Sequence, residues 1–166
     1  MIIVGLTVGL IIGSTAAAQS RRVLADLGRL DPPAYSPPLV RTGEGAPVFD
    51  EAIAAYRARK FERTADLLRR FAAVEPDDPA GNFFLAAALM MIDDVGEAED
   101  RLRVVLAAGE TPFDAAARFI SAKARIRVGD LDSAERELAR VEQTSSAYAR
   151  QAGDLLIKVR AVKKRK

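Results

Sequence analysis

A pattern that recurs every 34 to 36 residues limits this chain more than any other feature of its sequence. Leu68 and Leu102 lie 34 residues apart, and Leu102 and Leu138 lie 36 apart. Four columns of residues keep this spacing: Phe49, Phe83 and Phe119; Ala52, Ala86 and Ala122; Thr64, Ala98 and Ala134; Leu68, Leu102 and Leu138. Such a period predicts a stack of similar units, each of which buries its apolar face against the next.

The stretches between the breaks of this pattern favour helix. The chain is rich in Ala, Leu, Arg and Glu, and no strand-like alternation follows Pro47. Gly, Pro or Asp stands at most breaks, as expected at helix ends. Helices are predicted over 48–59, 61–74, 80–92, 97–108, 113–128, 131–141 and about 145–162, and 19–29 is a candidate for a short amphipathic helix. The predicted fold class is therefore all-α.

These columns resemble the tetratricopeptide repeat (TPR), a helix-turn-helix unit of 34 residues. The matching features are a small residue where the two helices of a unit meet, and an apolar residue that opens the second helix: Phe61, Val95 and Leu131. The turn Gly129-Asp130-Leu131 matches the family's inter-helix turn, whereas Arg59 and Asp93 replace its glycine in the first two repeats. The resemblance implies a short TPR-like solenoid of three repeats over 47–144, with a capping helix and basic tail over 145–166.

In the TPR family, the first helices of the repeats line an inner face that binds extended peptides or helices of partner proteins. Carried over by position, the partner-binding groove consists of Phe49, Ile53, Tyr56, Arg57, Phe83, Ala87, Met90, Met91, Phe119, Lys123, Ile126 and Arg127. Its apolar surface is adaptable, and its cations suit a carboxylate. The alternative is that these side chains pack on neighbouring helices, or that the C-terminal helix fills the groove.

The absence of Cys and His excludes thiol nucleophiles, imidazole bases and the usual zinc ligands. The acidic pairs fall at inter-helix turns: Asp77-Asp78, Asp93-Asp94 and Asp130-x-Asp132. Asp at such a position caps the following helix, and none of the pairs has the spacing of a calcium loop. We therefore expect a protein that is not an enzyme and has no catalytic residues, cofactor or metal.

Residues 1–18 carry no charged side chain, and Ala16 and Ala18 form an A-x-A-like cleavage site. This favours a signal peptide or membrane anchor, with the array in the bacterial cell envelope, either periplasmic or anchored to the inner membrane. Arg21, Arg22 and Arg29 support the opposite orientation, in which an anchored array faces the cytoplasm. A buried helix is the third interpretation.

Residues 19–46 are predicted to be a Pro-rich linker, since the stretch from Leu30 to Pro47 contains five prolines with Pro47 included. A Pro-rich ligand for a partner's groove is a less common use of such a stretch. The C-terminal cations are Lys158, Arg160, Lys163, Lys164, Arg165 and Lys166. They complement a helix C-terminus or contact anionic lipid. Nucleic-acid binding is not expected, because the rest of the chain is acidic.

A narrower resemblance concerns the order of the Pro-rich linker, the run from Ala55 to Met90, a Thr-Pro-Phe start to the third repeat, and VGDLDSAERELARVE. It is similar to the extracytoplasmic repeat half of membrane-anchored anti-sigma-type regulators, whose Cys/His zinc-finger head this chain lacks. The expected function is a non-catalytic protein–protein interaction module that binds a partner peptide or helix. The alternatives are the sensing half of an anti-sigma-type system and a self-associating envelope assembly factor.

Overall fold

The computed structural model describes residues 17–35 and 42–165, and all regular secondary structure in these two ranges is helical. Helix α1 is seen over residues 17–27. The other helices are α2 (Ala46–Arg57), α3 (Phe61–Val74), α4 (Pro79–Met91), α5 (Val95–Ala107), α6 (Asp114–Val128), α7 (Leu131–Glu142) and α8 (Ala149–Lys163). The predicted all-α class is confirmed, and the helices from α2 to α8 fall within a few residues of their predicted ranges.

Consecutive helices from α2 to α8 pack against one another along the chain. Among the first helices of the three units, α4 also contacts both α2 and α6, so these three helices form one layer of the stack. This is the arrangement of a helical solenoid, in which each unit buries its apolar face on the next. Helix α8 packs on α7 at the end of the stack, with Ala152, Leu155, Leu156 and Val159 buried.

The repeated columns form the interior of the stack. The Ala column is fully buried, and the Phe and Leu columns are at most 3% exposed. Small residues let two helices approach closely, while Phe and Leu from the facing helices fill the remaining space. The sequence period therefore reports packing between helices.

Aspartates cap the helices that follow the inter-helix turns, as predicted. The carboxylates of Asp78, Asp94 and Asp130 each accept a hydrogen bond from the backbone N–H three residues later, at 2.6, 3.3 and 3.1 Å. Each bond satisfies an N–H group that has no partner within its own helix. These three aspartates therefore help to fix where the helices begin.

The turns inside the three repeats share one backbone conformation, although their residues differ. Arg59, Asp93 and Gly129 have φ values of 57°, 65° and 85°. This left-handed region suits glycine and is unfavourable for a residue with a Cβ atom. The first two turns therefore keep the geometry of the third at some cost in backbone strain.

The predicted signal peptide or anchor lies outside the described residues except for residues 17 and 18, which are helical and belong to α1. Within the two described ranges, no helix combines the length and apolar character that crossing a membrane requires. The predicted linker differs from a simple spacer, because Gly28, Leu30 and Pro33 are buried. The segment 28–35 lies against the array.

Candidate peptide-binding groove

The layer formed by α2, α4 and α6 carries a groove, and the chain's own segment 28–35 lies in it. The segment follows α1 and has no regular secondary structure from residue 29 onwards. Its first residues contact α6, and its last residues contact α2 and α4. It therefore crosses the array from the third repeat to the first.

Three side chains of the groove donate hydrogen bonds to backbone carbonyl oxygens of this segment. Arg127 Nε donates to the carbonyl of Gly28 at 3.0 Å, and Lys123 Nζ donates to the carbonyl of Arg29. At the other end, the buried Tyr56 hydroxyl donates to the carbonyl of Pro33 at 2.9 Å. All three bonds are made to main-chain atoms, which every peptide possesses.

The segment also makes apolar contacts, both between these hydrogen bonds and beyond the last of them. Leu30 is 5% exposed and belongs to the same buried cluster as Met90. Pro33 is buried, and the ring of Tyr35 meets Phe84 edge-on with a centroid distance of 5.4 Å. Phe84 in turn makes an edge contact with Tyr56 at 5.2 Å. The groove therefore offers an apolar site for Leu30 and an aromatic surface for Tyr35.

The two cations of the groove have different surroundings. Arg127 also donates to the carbonyl of Met90 at 2.7 Å and pairs with Asp93 at 3.0 Å, so its guanidinium is fixed by α4 and the following turn. Burial lowers the pKa of Lys123, and the nearby carboxylate of Asp31 opposes this shift. Burial also raises the pKa of Tyr56, so its hydroxyl stays protonated as a donor.

An open cleft of about 620 Å³ remains between the segment and the array. On the array side it is lined by Met90, Met91, Arg127 and the turn residues Arg59 and Asp93. The other wall comes from α1 and the residues that follow it. The groove is therefore partly filled and partly open.

The structure divides the predicted groove residues into three groups. Tyr56, Met90, Met91, Lys123 and Arg127 contact segment 28–35 or line the cleft beside it. Phe49, Ile53, Phe83, Ala87, Phe119 and Ile126 are buried in the helix packing. Arg57 is exposed. The role of each in partner binding stays a prediction.

Sequence reasoning missed Phe84, Leu30, Pro33 and Tyr35. Phe84 lies beside the repeated Phe column and was not assigned to either face. The other three stand in the Pro-rich stretch predicted to be a spacer, although Leu and Tyr among prolines are a signal for a ligand-like segment. From the sequence, the C-terminal helix was the alternative occupant of the groove. In the structure, segment 28–35 lies there.

Two cations of the basic tail pair with carboxylates of α7. Arg160 and Lys163 contact Glu135 at 2.7 and 2.6 Å, and Lys163 also contacts Asp132 at 2.5 Å. Lys166 lies outside the described residues. Across 17–35 and 42–165, no group of three or more acidic side chains is arranged to hold a metal ion.

Comparisons with known proteins support the fold. No protein-family model matches the chain, and neither does any curated protein. Among solved structures, the chain is similar to the first TPR of Spaghetti (RPAP3), which was solved bound to an HSP90 peptide, SRMEEVD. The TM-score is 0.65 at 16% identity, and the match covers 75% of this chain and 97% of that one. The chain therefore has a TPR-like fold.

Proposed function

We propose that the protein is a non-catalytic interaction module that binds an extended peptide of a partner protein in the groove of α2, α4 and α6. The observation that carries this proposal is the seating of segment 28–35, whose carbonyls accept hydrogen bonds from Tyr56, Lys123 and Arg127. A groove that holds one extended segment by its backbone has the donors to hold another. The peptide-bound TPR domain of similar fold lends further support.

The test starts from the full chain with Leu30→Asp, which puts a charge into the buried position of the segment and favours an empty groove. A random peptide library is panned against this variant and, in parallel, against the same variant with Arg127→Glu added. We expect enriched peptides that bind the first protein and lose at least about tenfold in affinity on the second, because a side chain that donates to the main chain of the peptide has been replaced by an acceptor. Failure to enrich any Arg127-dependent peptide would contradict the proposal.

We further propose that this module belongs to the bacterial cell envelope, supported by the uncharged apolar run of residues 1–18. A C-terminally tagged chain is expressed, its intact mass is taken, and spheroplasts are treated with protease. A mass without residues 1–18, or a full-length chain whose tag is digested from outside, is the expected result. A full-length product with a protected tag would place the array in the cytoplasm, which is the alternative orientation.

The anti-sigma and self-assembly alternatives, like lipid contact by the basic tail, stay predictions. Arg160 and Lys163 are engaged with carboxylates of α7, so a lipid headgroup would have to compete with these pairs. Peptide binding is preferred because the groove already displays the contacts it requires.

A further inference from the structure

We propose that the groove is specific for one pattern, an apolar residue followed by proline three positions later and an aromatic ring two positions beyond, and that residues 28–35 are its built-in ligand. This inference rests on the proposed function and adds the class of peptide to it. A partner is then a protein that presents this pattern in an extended segment and replaces residues 28–35.

The first argument concerns hydrogen bonding. The segment contains Pro32 and Pro33, which have no N–H group, while all of its residues keep a carbonyl acceptor. The groove meets it with three donors, the side chains of Tyr56, Lys123 and Arg127. A surface that offers donors to the backbone is matched to a ligand that contains proline, because a proline has a carbonyl acceptor but no N–H group that needs a partner.

The second argument concerns shape. A residue that precedes proline is restricted to extended conformations, and proline itself fixes φ. Asp31 and the two prolines therefore hold the segment extended before it binds, which reduces the entropy lost on binding. The distance between the two ends of the groove is then spanned by a stretch that is already straight.

The third argument concerns the side chains at fixed intervals. Leu30 is buried with Met90, Pro33 is buried beside the hydroxyl of Tyr56, and Tyr35 lies against Phe84. Between them, Asp31 and Ala34 are exposed. The groove therefore contacts three side chains of the segment and leaves the exposed positions 31 and 34 free to vary.

The start of the segment is fixed by a close approach. A Cβ atom at Gly28 would lie 2.5 Å from Cγ of Arg127 and 3.0 Å from the carbonyl oxygen of Lys123. Such distances require the segment or its neighbours to move. A small residue two positions before the apolar anchor therefore belongs to the expected pattern.

The experiment uses the labelled peptide GRLDPPAY, the sequence of residues 28–35, and measures fluorescence anisotropy with the full chain. We expect the peptide to bind the Leu30→Asp protein at least about tenfold more tightly than it binds the unmodified chain, because the groove of the unmodified chain is occupied. The matched control is Ala34→Asp, which adds the same charge at an exposed position and should leave the affinity close to that of the unmodified chain. A second variant, Gly28→Val, displaces the segment without adding a charge and should behave like Leu30→Asp.

Specificity is then measured on the Leu30→Asp protein with altered peptides. Peptides that carry Leu30→Ala, Pro33→Ala or Tyr35→Ala should each bind about tenfold more weakly, and a peptide with Ala34→Ser should bind equally well. Equal binding of all four peptides would overturn the pattern while leaving the groove a peptide site. Enrichment of Arg127-dependent library peptides with a different pattern would also overturn the pattern and leave the groove a peptide site. If the library yields no Arg127-dependent peptide, the proposed function itself is wrong. Equal affinity of GRLDPPAY for the unmodified chain and for both displaced variants would overturn the built-in ligand.

Discussion

Cations lie both at the interfaces between helices, which we call seams, and in the groove. Their partners differ between the two places. At the seams, Arg69 of α3 contacts Glu97 of α5 at 2.6 Å, and Arg118 of α6 contacts Glu137 of α7 at 3.2 Å. In the groove, Lys123 and the Nε of Arg127 donate to backbone carbonyls of segment 28–35. The seam cations are matched to particular acidic side chains, whereas the groove cations are matched to a backbone.

If the groove binds partner peptides as proposed, this difference separates the part of the molecule that maintains the fold from the part that exchanges ligands. A carboxylate partner exists at one place in the sequence, so a seam pair favours one packing of the helices. Every residue has a backbone carbonyl, so a donor in the groove can bind any chain that is extended and close enough. Specificity in the groove must then come from the apolar contacts, which are those of Leu30, Pro33 and Tyr35.

The largest expected contrast is between two leucines. Leu68 is fully buried in the stack, and Leu68→Ala should lower the free energy of unfolding by about 3 kcal/mol through lost burial and a cavity. Leu30→Ala removes the same atoms from the segment, which under our proposal leaves the groove without unfolding the array. It should barely change the midpoint of thermal unfolding followed by circular dichroism, and should speed tryptic cleavage after Arg29. A similar loss of unfolding free energy in both variants would show that the segment is part of the scaffold.

A smaller effect is expected at the seam between α3 and α5. The hydrogen bond from Arg69 lowers the pKa of Glu97, with a further contribution from Arg101. Because the folded pKa lies below the unfolded value of about 4.5, this stabilisation is present above that pH and is lost as the pH falls through the folded pKa. Glu97→Gln should therefore cost about 0.5 kcal/mol at pH 7, since both side chains are partly exposed, and less at about pH 3.

Urea unfolding of the unmodified protein and of Glu97→Gln, each at about pH 7 and about pH 3, measures this difference in the free energy of unfolding. In the same series, Arg127→Met should change stability little with pH and should weaken retention of segment 28–35. A loss for Glu97→Gln that is equal at both pH values would contradict the assignment of a charge-dependent seam.

The smallest effects are expected in the turns. Arg59→Gly relieves a left-handed backbone at φ 57° and should stabilise the fold by about 0.5 kcal/mol. Asp93→Gly relieves a similar backbone but removes the carboxylate that pairs with Arg127. It should gain less stability and should also release segment 28–35 more readily. Thermal unfolding and tryptic cleavage after Arg29 compare the two variants. Identical behaviour in both assays would show that Asp93 does not help to retain segment 28–35.

The stack could be predicted from the sequence because its determinants are local or periodic. Capping aspartates and the left-handed turn at Gly129 mark helix ends, and columns such as Leu68 and Leu102 report packing that repeats along the chain. Nearly every residue of α4 from Ala80 to Met90 is buried, so periodicity does not show which of its side chains face the groove. That is why Phe83 was assigned to the groove and Phe84 was missed.

The occupant of the groove could not be predicted for a different reason. The hydrogen bonds from Lys123 and Arg127 to the segment span 94 and 99 residues of sequence. No period or cap connects such distant positions, and prolines are equally typical of linkers and of extended ligands. Burial of Leu30 in a stretch of linker composition is the feature that distinguishes the two.

Because residues 28–35 and the groove belong to one chain, their encounter does not depend on how dilute the protein is. A short covalent connection holds a ligand at an effective concentration on the order of 1 mM. If the free segment bound with a dissociation constant of about 10 μM, the groove would be open about 1% of the time, and every competing peptide would appear about 100-fold weaker. A partner would then succeed by being held close to the module, so co-localisation would decide binding as much as sequence does.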